Sequence, residues 1–93
     1  MDETTKKISA LLHEAGETHH IVYRITDGED ADWASWYSDW LLQHSELPDL
    51  LGGAPVRSHL VAELVALESE FGAGEGWEDS YATRVVDRFR VQA

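Results

Sequence analysis

Apolar residues recur every three or four positions along most of the chain, in four stretches separated by turn-forming segments. The first begins near Thr4 or Thr5 and carries Ile8, Leu11, Leu12, Ala15 and Val22 on one side, with His19 beside them; the period persists across Gly16 towards Ile25. Asp2 and Glu3 stand at its start, where carboxylates suit the positive end of a helix dipole. The second, over 31–44, gathers Trp33, Trp36, Tyr37, Trp40, Leu41 and His44 into one arc at about 100° per residue, with Ser35, Ser38, Asp39 and Leu42 opposite. The third opens with Pro55 in its first turn and spreads Val56, Leu60, Val61, Leu64, Val65, Leu67 and Phe71 over a broad apolar arc, the pattern of a core helix. The fourth follows glycines 72, 74 and 76 and sets Trp77, Tyr81, Ala82, Val85, Val86 and Phe89 on one side.

The intervening segments read as connectors. Residues 26–32 are rich in Asp and Gly, and Asp27 or Asp30 suits a helix cap because a carboxylate accepts from unpaired backbone N–H groups. Pro48 lacks a backbone donor and clashes with the preceding turn, so 45–49 should end the second helix, with Leu50 to Gly53 completing the link. No alternating run is long enough to compete as a strand. The expected fold is all-α, a compact bundle of about four amphipathic helices with short loops, forming a single helical domain over 1–93, since 93 residues cannot enclose two cores.

Charge narrows the range of partners. Eighteen acidic residues against seven basic ones give a net charge of −11, and the basic residues are scattered, with only Arg84, Arg88 and Arg90 close together. A phosphate backbone needs clustered Lys and Arg, so nucleic acid is not an expected partner, and an anionic membrane surface is disfavoured by the same field. Cations and basic proteins are favoured. The chain has no cysteine, no leader-like apolar run after its polar first residues and no stretch long enough to cross a bilayer, which makes a reducing, cytoplasmic location the expectation.

Candidate chemistry is sparse. His13, Glu17 and His20 share one side of the first helix, and two imidazoles with a carboxylate are a known ligand set for zinc or non-haem iron. Three successive turns strain to reach one ion, Glu17 breaks the His-Glu-x-x-His pattern, and the single Glu-x-x-His step has no second copy, so a hydrated surface with ordinary pairing is the simpler account. The acids between Asp27 and Asp32 lack the glycine of a calcium loop, and Trp77 stands where a dinucleotide-binding loop needs glycine. Arg57 and Glu68 fall in or beside the apolar arc of the third helix, where a charge needs a partner or water. No nucleophile motif occurs, and no catalytic residue or cofactor is assigned.

The clearest candidate surface is the aromatic stripe: Trp33, Trp36, Tyr37, Trp40 and, at its centre, His44. Trp and Tyr are enriched at association sites, and a small domain has limited volume to bury four tryptophans. The resulting expectation is a binding or protein-interaction module that forms a homodimer through this surface. The alternative is a metal-dependent binder or enzyme using His13, Glu17 and His20, or an aromatic pocket around His44.

The run His19-His20-Ile21-Val22-Tyr23-Arg24-Ile25-Thr26-Asp27-Gly28, continuing to Trp33, Trp36-Tyr37 and Trp40-Leu41, resembles an uncharacterised family of short bacterial helical proteins. Leu47-Pro48, Leu51-Gly52 and Pro55-Val56-Arg57-Ser58 extend the likeness. The resemblance implies a small bacterial protein that stands alone, and it assigns neither an activity nor site residues.

Overall fold

The computed structural model describes residues 2–22, 33–72 and 74–91, and side chains throughout these except at 20–22. They form five helices, α1 (Glu3–Val22), α2 (Trp33–Gln43), α3 (Leu47–Leu51), α4 (Arg57–Phe71) and α5 (Trp77–Phe89). The principal contacts run in a ring, α1 to α2, α2 to α4, α4 to α5 and α5 back to α1, with α3 lying against α1 and α2. This is an all-α bundle of four longer helices, as the periodicity predicts.

Asp2 starts α1 by accepting the Thr5 backbone N–H on Oδ1 at 2.8 Å, a bond that holds its carboxyl below the usual carboxylate range. The expected run of α1 towards Ile25, the caps at Asp27 or Asp30 and the expected first turn of α2 lie outside the described residues. Within the ring, α1 buries Ile8, Leu12 and Ala15, α4 buries Leu60, Leu64 and Leu67, and α5 buries Tyr81, Ala82, Val85 and Val86. Each fully buried leucine or isoleucine side chain contributes about 1.5–3 kcal/mol.

Two expected faces are corrected. The buried line of α2 is Ala34, Ser38 and Leu41, whereas Trp33, Trp36, Tyr37 and Trp40 are half-buried and His44 is exposed. Its core side is therefore turned by about 100° from the centre of the aromatic stripe, and Ser38, expected opposite that stripe, is 0% exposed. α2 packs against both α4 and α1, and the small residues on this line leave room for their larger side chains. On α4, the broad apolar arc is not buried as a whole, since Val65 and Phe71 are each 49% exposed. Leu60, Leu64 and Leu67 span about 60° of the helix, while Val65 lies about 130° from their centre, beyond the reach of either neighbour.

The connector after α2 also departs from expectation, because it contains α3. Pro48 sits in the first turn of α3, where its missing N–H removes no helical bond. Ser45 joins the two helices: its hydroxyl donates to the Leu41 carbonyl at 2.6 Å and accepts the Leu47 N–H at 3.1 Å. Gly52, at φ 81°, ends α3 in the left-handed conformation that a side chain would strain. Pro55 precedes α4 rather than entering it, and Val56 takes the cap position. At the far end, Val91 N–H donates to the Leu51 carbonyl at 2.9 Å, and Arg90 reaches Asp2 at 3.2 Å.

Candidate functional site

The aromatic stripe divides into an inner and an outer part. Tyr37 is the centre of the inner part: its ring lies 5.5 Å from Trp33, 5.3 Å from His19 and 6.4 Å from Trp77, all tilted or edge-on. Trp77 in turn meets Tyr81 at 5.0 Å, and the Tyr81 hydroxyl donates to the Gly72 carbonyl at 2.8 Å, tying α5 to the end of α4. Such ring pairs contribute about 0.5–1.5 kcal/mol each beyond their area. Gly16 makes room for this arrangement, since a Cβ there would stand 3.3 Å from the Tyr37 hydroxyl and 3.6 Å from Trp77. Burial pushes the Tyr37 phenol up from its ordinary value, with Tyr81 and Glu78 adding to the effect, so it stays neutral at physiological pH. His19 packs on Trp36 at 5.1 Å as well as on Tyr37, which agrees with its expected place beside the apolar side.

The outer part is a surface pocket lined by Trp36, Asp39, Trp40 and His44. Trp36 and Trp40 lie one turn apart along one edge of α2, His44 continues the line just past its end with its N–H donating to the Trp40 carbonyl at 2.8 Å, and Asp39 borders them from the polar side. The Asp39 carboxylate is engaged by Arg57 from the start of α4, Nε donating to Oδ1 at 2.5 Å and Nη2 to Oδ2 at 3.3 Å. This two-pronged bond holds the Asp39 carboxyl below its usual range. It also gives Arg57 the partner its position demands. Glu68 is exposed to solvent and does not line the pocket.

His13 and Glu17 lie elsewhere, on the α1 side that meets α5. His13 Nδ1 is 3.0 Å from Glu78 Oε2, and Nε2 is 3.6 Å from Glu17 Oε1. The two carboxylates address opposite nitrogens, so the imidazole bridges them rather than sharing a centre with them. The hydrogen bond to Glu78 raises the His13 pKa above the ordinary histidine value, and the Glu17 charge adds to it. Ser9 donates to Asp79 at 2.6 Å on the same seam. No group of three potential metal ligands converges among the described residues, and the His20 side chain lies outside them.

Sequence reasoning singles out Arg57 as a charge in need of a partner but misses Asp39 as that partner, because the two are 18 positions apart and meet only when α2 and α4 pack. The other described arginines are also engaged: Arg84 by Glu63 and Glu70, Arg88 by Glu63 and Arg90 by Asp2. The exposed charge left over is predominantly carboxylate. No helix among the described residues is long and apolar enough to cross a membrane. No family model, no curated protein and no solved structure matches the chain.

Proposed function

We propose that the protein is a small cytoplasmic interaction module that pairs with a second copy of itself through the aromatic side of α2. One observation carries this reading: α2 gives its own core Ala34, Ser38 and Leu41, while Trp33, Trp36, Tyr37 and Trp40 stay half-buried. Large aromatic rings held at a rim supply contact area with little rotamer freedom to lose, the property that favours them at association sites. The half-buried rings leave apolar and polarisable area at the surface beyond what the core of this chain uses. The negative charge adds a second part to the reading, a basic protein as a further partner.

Light scattering on the untagged protein tests the self-association. The expected mass is twice the 10.5 kDa of the chain, returning to the single value in the double variant Trp36→Ala, Trp40→Ala with helical content unchanged. A single-chain mass for the native protein across all attainable concentrations sinks the pairing.

A further inference from the structure

We infer that the pocket lined by Trp36, Asp39, Trp40 and His44 receives a basic side chain of a partner protein, and that Arg57 holds its carboxylate until that side chain arrives. The inference deepens the interaction-module reading and rests on the aromatic side of α2 being a contact surface. Its first support is that the pocket combines the two elements that recognise an organic cation. Indole faces attract a guanidinium or ammonium through the ring quadrupole, and a carboxylate beside them supplies the opposite charge. The second support is Arg57 itself. Its guanidinium addresses both Asp39 oxygens, which demonstrates that this carboxylate accepts a planar fork from outside its own helix.

The Arg57 pair is also exchangeable. Its side chains are 52% and 45% exposed, and ion pairs so open to water are weak and readily exchanged. Arg57 does not stack on an aromatic ring among the described residues, where the cation–ring contacts are Arg84 over Phe71 and Arg88 over Phe89. A partner's cation in the pocket borders Trp36 and Trp40 and so gains the ring contact that Arg57 lacks. Long-range charge acts in the same direction, because a chain at −11 draws basic partners towards it.

The test is a titration of the whole protein followed by NMR of the indole N–H groups. The probe is an acetylated, amidated glycine peptide carrying two arginines, and its control replaces arginine by uncharged citrulline at equal salt. The expected result is saturable movement of the Trp36 and Trp40 signals with the arginine peptide alone. Asp39→Asn weakens binding about tenfold, as loss of a charge-assisted bond implies. Arg57→Ala tightens it by up to about fivefold, as removal of an exposed internal competitor implies. Both substitutions are at exposed positions and leave the core intact.

Equal response to citrulline, movement confined to other indoles, or weaker binding by Arg57→Ala overturns the inference. Light scattering on the same samples separates the two proposals. The second copy and the arginine peptide compete for Trp36 and Trp40, so the expected mass falls towards the single-chain value as the peptide saturates; a dimer that ignores the peptide sinks the pocket and retains the pairing, and a native monomer that binds it does the reverse. A doubled mass lost in Asp39→Asn places an arginine of the second copy in the pocket and overturns the separate partner.

Discussion

Helices α2 and α4 pack against each other and bury three residues apiece, yet they divide large and small side chains in opposite ways. On α4 the large leucines 60, 64 and 67 turn inward, and the outward side carries Ser58, Ala62, Val65, Ala66 and Ser69. On α2 the inward line is Ala34, Ser38 and Leu41, and the rim carries three indoles and a phenol. The two helices are direct neighbours, and small residues on the buried line of α2 leave room for larger side chains in the shared core. It follows that side-chain size on a helix does not by itself identify the core side. What a helix hides depends on what its neighbour brings.

The contrast leads to four expectations. Leu64→Ala should cost about 2–5 kcal/mol in urea unfolding, whereas Val65→Ala next to it should stay within about 0.5 kcal/mol. Similar losses for both would mean that Val65 is covered in the native protein. Ala34→Leu tests the small side of α2, where overpacking should destabilise by about 1–3 kcal/mol, and a neutral result would show that α2 and α4 stand further apart. Ser38→Ala has the opposite sign. Ser38 Oγ is buried and has no hydrogen-bond partner among the described residues, so its removal should raise stability by about 1 kcal/mol. A loss on thermal unfolding would reveal a partner for the hydroxyl.

The smallest effect lies outside this pair, at the α1–α5 seam. His13 has a folded pKa raised chiefly by the Glu78 hydrogen bond, so its protonation favours the folded state. That contribution is complete below the unfolded histidine value of about 6.5 and disappears as pH rises through the raised folded value. NMR titration should place the His13 midpoint above the ordinary value in the native protein and lower in Glu78→Gln. An unchanged midpoint in that variant would remove Glu78 as the cause.

Much of this was readable from spacing. The four longer helices follow from the 3.6-residue period, and Trp36, Trp40 and His44 fall together because a helix sets residues four apart on one side. Other features depend on pairing across the fold. Ala34 and Ser38 carry a far weaker hydrophobic signal than the indoles beside them, so the core side of α2 emerges only once its neighbours are in place. Asp39, assigned to the polar side, borders the pocket because a helix edge belongs to both sides. Glu78 reaches His13 across 65 positions, which no local pattern on α1 reveals. α3 was hidden for a different reason: its five residues contain a proline, and a turn that short gives no period to detect.

Arg90 pairs with Asp2 and the Val91 N–H donates to the Leu51 carbonyl, so the two residues that follow α5 clasp the start of α1 and the end of α3. Elements far apart along the sequence are thereby gathered at one anchor, and loosening it would be felt by both at once.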